Sequence, residues 1–119
     1  MRMRTLLAAI ALAWYATATA QAHSVRECRE GGDFIRNAAL SRDSGTTRAS
    51  FVGRLEDDLQ TIRAFPPALR WFVHNPEDEL FLRAEVEAVF DVPLSSELHR
   101  AGFLERCARR AGHQAVPLT

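Results

Sequence analysis

The residues best suited to chemistry in this chain are its four histidines, His23, His74, His99 and His113. His23 follows the small-residue run ATATAQA, so cleavage after Ala22 would make it the N-terminal residue. Its α-amine and imidazole could then chelate Cu(II) as a histidine brace, a site that also needs another imidazole. Sequence spacing places none of the other three histidines beside it. Copper binding is therefore one alternative, and our leading expectation is a chain with no metal ligand and no cofactor.

Nucleophilic and acid–base catalysis find little support in the sequence. It contains no GxSxG motif and no glycine-rich phosphate loop, and its serines and threonines fall at predicted helix caps or in linkers. Its most closely spaced carboxylates fall in first turns or on polar helix faces, where the helix dipole accounts for them. These are Asp57, Asp58, Glu77, Asp78 and Glu79. We therefore expect a protein that is not an enzyme.

Two cysteines, Cys28 and Cys107, stand near opposite ends of the chain. Neither belongs to a CxxC pattern and neither has a histidine at metal-ligand spacing, so a disulfide is the simplest interpretation. Closing a loop of about 80 residues would stabilise the fold by ~4 to 5 kcal/mol in the chain-entropy model. For a small domain that is a large share of the total free energy of unfolding.

The N-terminus has the layout of a secretory signal peptide. Arg2 and Arg4 precede an apolar run of about ten residues, whereas a membrane-spanning helix needs about 20. Small residues permit cleavage after Ala22 or after Ala20. We expect a periplasmic or secreted protein with no membrane span after cleavage. The predicted organisation is a signal peptide at 1–22, a helical domain at 23–112 and a flexible tail at 113–119.

The charges argue against nucleic acid as a partner. Removing Arg2 and Arg4 with the leader leaves two more acidic than basic residues, whereas nucleic-acid binding usually needs a basic face. The charged residues of 77–91 are six acids and one arginine, and those of 100–110 are four arginines and one glutamate. We expect two solvated helix faces that attract each other.

Apolar residues recur at helical spacing along the whole of the mature chain, and no alternating β-branched run is present. Gly31 and Gly32 weaken the first helix, which we expect to begin near Asp33 or to be loosened there. The second helix carries its stripe on Phe51 or Val52, then Leu55, Leu59, Ile62 and Phe65. The third carries Leu82, Val86, Val89 and Phe90. In the last helix one side is marked by Leu98, Ala101, Leu104 and Ala108, and Phe103 with Cys107 lies on the side next to it.

The segments between these apolar stripes contain residues that are favoured at helix caps. Thr46 or Thr47, Asn75 before Pro76, and Ser95 or Ser96 are predicted N-caps, and Gly112 is a predicted C-terminal cap. The fold class is therefore all-α: a small irregular helical bundle of four main helices plus a short one, with the first and last helices linked by the disulfide.

The stretch RWFVH holds the candidate contact surface. Pro66 ends the second helix and Pro67 suits the first position of a short helix containing Leu69 to Val73. Such a helix is too short to bury every large side chain on one face. Burial of both aromatic rings in the core is the leading interpretation. In the alternative, one ring is exposed, and the contact surface comprises Arg70, Trp71, Phe72 and His74.

The order of Cys28, NAALSRDSG, an acidic amphipathic helix and VFDVPLSSELHRAGFLERC resembles a loose group of small exported bacterial proteins that share two terminal cysteines and an Arg-Asp-x-Gly turn. The resemblance brings no activity with it. It implies that Arg42, Asp43 and Gly45 form a structural turn that closes the first helix, with Gly45 at positive φ and Asp43 bonded to backbone or to an arginine. In size, export and cysteine count the chain is also similar to small acid-activated periplasmic chaperones, although it has no lysine.

Three functions remain open at this point. The leading one is an exported helical module that binds a protein or peptide in the cell envelope. The first alternative is an acid- or stress-responsive periplasmic chaperone that exposes apolar surface when its carboxylates are protonated. The second is copper binding through an N-terminal His23.

Overall fold

Four α-helices and one 3₁₀ turn account for the regular structure of residues 23–115, the part of the chain that the computed structural model describes, with side chains through Gly112. The predicted signal peptide and residues 116–119 lie outside the described residues. The elements are α1 (Val25–Asp43), α2 (Arg48–Ile62), the 3₁₀ turn (Pro67–Leu69), α3 (Pro76–Asp91) and α4 (Ser96–Ala115). The predicted all-α class with four main helices is confirmed.

Helix α1 begins about two turns earlier than the sequence predicted. Ser24 caps it by accepting a hydrogen bond from the Glu27 N–H, and the Glu27 carboxylate accepts one from the Ser24 N–H, which completes a capping box. Gly31 and Gly32 lie inside the helix and are buried. The expectation of a start near Asp33 is wrong, because these glycines serve packing and do not interrupt the helix.

The two glycines let α4 approach α1 closely. A Cβ atom on Gly31 would lie 2.6 Å from Cζ of Phe103, and one on Gly32 would lie 3.0 Å from Cδ2 of Leu104. The predicted disulfide between Cys28 and Cys107 is present beside this contact, with the two Cα atoms 5.8 Å apart. Accordingly, α1 and α4 form the most extensive helix pair in the described structure.

The predicted N-caps are confirmed at three helix starts. Thr47 caps α2, Asn75 caps α3 with Pro76 in its first turn, and the Ser95 hydroxyl accepts from the Leu98 N–H at the start of α4. The end of α4 differs from the prediction, because the helix runs to Ala115, three residues past Gly112.

The buried face of α4 is not the one that the apolar pattern emphasised. Leu98 is 58% exposed, and Ala101 and Ala108 are also exposed, whereas Phe103 and Cys107 are fully buried. The disulfide and the glycine contact fix the rotation of α4, so these constraints outweigh the count of apolar residues. Phe65, predicted to end the α2 stripe, is 49% exposed because α2 stops at Ile62.

The core lies where α1, α3 and α4 meet, with α2 packed chiefly against α3. Its largest fully buried side chains include Phe72, Phe103, Ile35, Leu59 and Leu82. None of the helices in residues 23–115 is long and apolar enough to cross a membrane.

Replacing Gly31 with alanine is expected to destabilise the protein by about 1 to 3 kcal/mol, since the new methyl group overlaps the Phe103 ring. Gly53 on α2 is the matched control, because a Cβ there meets no atom within 4 Å. Gly53→Ala should stabilise the protein by about 0.5 to 1 kcal/mol through helix propensity. Denaturant unfolding of the oxidised proteins measures both, and equal effects at the two sites would contradict the close contact.

Candidate functional site

The segment from Arg70 to His74 is a turn and not the predicted short helix. Only Pro67–Leu69 is helical, as a single 3₁₀ turn, and Trp71 has a φ of 56°. A bulky residue in the left-handed region costs on the order of 1 to 3 kcal/mol and persists only where its surroundings impose it. Here the reversal directs Phe72 and Val73 into the core, where both are buried.

Phe72 does not belong to a contact surface, because its side chain is 0% exposed. Its ring stacks on the His23 imidazole at a centroid distance of 4.0 Å and meets Phe103 at 5.6 Å. The prediction is corrected for this residue. Trp71, by contrast, remains partly exposed and packs edge-on against Phe34 at 5.7 Å.

Arg70 holds the turn in place and is not available as a free contact residue. Its guanidinium donates to the backbone carbonyl of Phe65 at 2.7 Å and to that of Arg63 at 3.0 Å. Both carbonyls lie just past the end of α2, where helical partners are missing. Arg70 therefore ties the turn to the C-terminus of α2.

An apolar groove of about 400 Å³ opens beside Trp71. Leu59 and Leu82 are buried and form its floor, while Phe34, Ile62 and Trp71 are partly exposed along its sides. Asp58 and Thr61 also line it. The groove lies where α1, α2, α3 and the turn at Trp71 come together, and α2 packs chiefly on α3.

A second cluster lies on the other side of Trp71, at the N-terminus of α1. One ring nitrogen from each of His23 and His74 and a carboxylate oxygen of Glu27 lie within 4.8 Å of one another. His23 is buried, and the other two residues are partly buried. Of the histidines that could have joined His23, the structure therefore brings in His74.

The remaining histidines and the predicted turn lie elsewhere. The His99 imidazole bonds to the Val92 carbonyl at 2.9 Å, and the side chain of His113 is outside the described residues. Gly45 ends α1 at a φ of 101°, and Asp43 pairs with Arg42, which also donates to the carbonyls of Val89 and Leu94. The structural turn is as the resemblance implied.

Glu27 is the member of the cluster that sequence reasoning missed. Its Oε2 lies 2.5 Å from Nε2 of His74, and its Oε1 accepts from the Ser24 N–H. Burial raises the pKa of Glu27, but the hydrogen bonds from His74 and Ser24 outweigh it and hold the pKa below its usual value. The Ser-x-x-Glu spacing could have identified the capping box, though not the contact with His74.

His74 is shifted in the opposite direction. Burial lowers the pKa of its imidazole, but hydrogen bonds to the Pro67 carbonyl and to Glu27 outweigh burial and raise it. The two side chains therefore form an ion pair near neutral and mildly acidic pH.

Asp78 supports the cluster from α3. Its carboxylate is almost fully buried, accepts from the His74 backbone N–H at 3.1 Å and lies 3.5 Å from His23 Nε2. The Arg110 guanidinium also donates to it, at 3.1 Å. Burial raises the pKa of Asp78, yet the neighbouring His23 imidazole and Arg110 guanidinium hold it below its usual value.

Comparison of the chain with protein-family models, with curated proteins and with solved structures gives no match. The groove and the histidine cluster are therefore the features of the molecule that bear on function.

The Glu27–His74 pair predicts a specific pH dependence of stability. The raised pKa of His74 means that its contribution is full below about pH 6.5 and is lost as the pH rises through the folded value. The lowered pKa of Glu27 means that its contribution is full above about pH 4.5 and is lost as the pH falls. Measured in a buffer that contains a metal chelator, His74→Gln should therefore lower the free energy of unfolding most, by about 1 kcal/mol, between pH 4.5 and 6.5.

Urea unfolding at half-unit pH steps measures this difference. Arg26→Gln is the control, because it removes the exposed Arg26–Glu30 pair and should show a small, flat effect over the same range. A difference for His74→Gln that grows above pH 7 would contradict the ion pair.

Proposed function

We propose that this protein is an exported helical module that works by binding and not by catalysis, and that its groove beside Trp71 receives an apolar segment of a partner polypeptide. The observation that carries the proposal is the left-handed backbone of Trp71 at the edge of the groove. Strain of this kind concentrates at ligand clamps and binding loops. Here it holds a large aromatic side chain partly exposed over an apolar floor.

The chemistry of the groove favours one kind of occupant. Leu59, Leu82 and Ile62 offer an apolar surface to one or two aliphatic or aromatic side chains. Asp58 lines the groove and is exposed, and it makes no ion pair with the described residues. Among those residues no group accepts a hydrogen bond from the Trp71 indole N–H. The expected ligand is therefore a peptide with an apolar side chain beside a lysine or arginine.

Export is part of the same proposal. The predicted signal peptide supports it, and so does the Cys28–Cys107 disulfide, because such bonds persist mainly in oxidising compartments. A partner in the cell envelope or outside the cell follows from that location.

Selection of displayed random peptides on the oxidised protein tests the proposal. Enriched peptides should share an apolar residue next to a basic one, and they should change the fluorescence of Trp71, the only tryptophan after the predicted leader. Trp71→Ala should weaken their binding by about tenfold or more, since an aromatic anchor carries much of such an interface. Asp58→Asn should weaken binding severalfold, and mainly at low salt.

Two further variants make this test decisive. Thr61→Arg places a long cation on the exposed rim of the groove, so it should block binding while the fold is kept. Leu98→Ala changes an exposed apolar residue on α4, outside the groove, and should leave affinity unchanged. Peptides that bind Trp71→Ala and Thr61→Arg as tightly as the unaltered protein would overturn the proposal, as would a selection that enriches nothing.

A second candidate function, an acid-responsive chaperone, is favoured by the buried carboxylates of α3. Asp78, Glu79 and Glu85 are all buried. Each pairs with an arginine, respectively Arg110, Arg63 and Arg106. Protonation would break the two ion pairs that join α3 to α4 and leave Arg106 and Arg110 without these charged partners. The disulfide would keep α1 and α4 together while apolar surface opened.

The lowered pKa of Asp78 sets the expected pH range. Its stabilisation is full above about pH 3.8, the ordinary value, and is lost as the pH falls through the lower folded value. We expect binding of an apolar dye to appear below pH 3.8 while far-ultraviolet circular dichroism still shows helix. Asp78→Asn, which lacks the titrating group, should bind dye at milder pH. A native, dye-silent protein at pH 2 would exclude the chaperone function.

A further inference from the structure

The histidine cluster at the start of α1 has the donor set of a transition-metal site. Two imidazoles and one carboxylate are ligands that Zn(II) and Cu(II) both accept. The three residues come from two separate parts of the chain, since His23 precedes the α1 capping box, Glu27 belongs to it and His74 ends the Trp71 turn. The fold therefore brings them together, as a local sequence pattern could not.

The hydrogen bonds of the two rings orient them as ligands. His23 Nε2 lies 2.7 Å from the Phe72 carbonyl, and His74 Nδ1 lies 2.8 Å from the Pro67 carbonyl. A carbonyl oxygen can only accept, so each of these nitrogens carries the proton. Metal-binding histidines in proteins usually donate their other N–H to a carbonyl or carboxylate in this way. Asp78, next to His23 Nε2, adds the carboxylate that often accompanies such a ring.

The remaining nitrogen of His23 is an independent indication of a ligand. His23 Nδ1 is buried and has no hydrogen-bond partner among the described residues. In the neutral ring, with the proton on Nε2, Nδ1 carries a lone pair, and a buried polar atom without a partner costs on the order of 1 to 3 kcal/mol. A metal ion would satisfy it.

The ligand atoms of Glu27 and His74 already face each other directly. Glu27 Oε2 and His74 Nε2 are 2.5 Å apart and form a hydrogen bond, while the Ser24 N–H donates to the other carboxylate oxygen. Ligands about 2.1 Å from a tetrahedral ion lie roughly 3.4 Å apart. The pair must therefore open by about 1 Å on binding. The three ligand atoms all lie within 4.8 Å of one another, so no other pair must close by more than about 1.4 Å.

We propose that His23, Glu27 and His74 bind one divalent transition-metal ion of the Zn(II) and Cu(II) class. The ion takes the place of the proton between His74 and Glu27. Binding therefore releases one proton to solvent for each ion bound to the ion-paired form. Three protein ligands leave at least one coordination position open to water or, in a chain cleaved after Ala22, to the α-amine of His23.

Titration with Zn(II) or Cu(II) sulfate alone tests the proposal. Protein expressed from the full chain is purified, its N-terminus is determined by mass spectrometry, and bound metal is removed with chelator. Calorimetry should show one ion per chain. Repeating the titration in buffers of different ionisation enthalpy should show that protons are released on binding, because the ion takes the place of the proton between His74 and Glu27. A raised melting temperature with metal is expected as well.

Matched variants locate the site. Glu27→Gln and His74→Gln should each weaken binding by about 100-fold or more, beyond what is typical for outer-shell changes. Glu30→Gln controls for the loss of a carboxylate, because Glu30 lies one turn along α1 and pairs with Arg26 at the surface. His99→Gln controls for the loss of an imidazole, because the His99 ring bonds to the Val92 carbonyl and lies outside the cluster. Both controls should keep the affinity within about twofold, given that neither residue belongs to the cluster.

Spectroscopy of the unaltered protein covers the case in which a variant fails to fold. With Cu(II), pulsed electron paramagnetic resonance should show coupling to two imidazole nitrogens, and far-ultraviolet circular dichroism in chelator should show native helix. Any one of three results would overturn the proposal. These are affinity weaker than about 100 μM, equal losses in Glu27→Gln and Glu30→Gln, or a copper spectrum without two imidazoles.

Discussion

The burial of Phe72 is the contact on which both candidate sites depend. Its ring is fully enclosed, stacked on His23 and close to Phe103, at the point where α1, α3 and α4 meet. Placing that ring in the core requires a sharp reversal of the chain shortly after it leaves α2 and passes Pro66 and Pro67. The reversal puts Trp71 at positive φ, at the edge of the groove, and carries His74 back toward Glu27. The apolar groove and the histidine cluster are thus two consequences of one buried side chain.

A second constraint, the close contact of α1 with α4, positions the partners of Phe72. Gly31 admits Phe103 at a distance that a Cβ atom would not allow, and Gly32 admits Leu104 at one that would be unusually tight for a Cβ atom. The disulfide holds the helices there. Arginine and carboxylate pairs then join α3 to α4 across partly buried surface, as the opposite charges of residues 77–91 and 100–110 had suggested. Such pairs fix orientation more than they add free energy, because desolvation offsets much of their attraction.

Sequence reasoning succeeded mainly where the cause of a structure was local. The caps at Thr47, Asn75 and Ser95 depend on one side chain and the next turn. The disulfide joins residues 79 apart, and it was predicted because the chain has only two cysteines. Sequence reasoning failed mainly where the packing of another element decided the structure. Gly31 and Gly32 suggested a helix break because the residues that they contact, Phe103 and Leu104, lie about 70 residues further along the chain. Trp71 was assigned to a helix because no neighbouring residue signals that Phe72 must turn inward. The role of Glu27 was missed for the same reason.

The two sites share the turn at residues 71–74, and this limits how they can influence each other. Trp71 lines the groove on one side and the depression that contains Glu27 and His74 on the other. An ion held by His74 would restrain the strained turn that positions Trp71, so it would reduce the entropy that a peptide must remove when it binds. Thermodynamic linkage then requires the peptide to increase the affinity for the ion by the same factor. Because Phe72 already fixes the centre of the turn, only the side chains on its two sides remain to be ordered, and the coupling is expected to be small.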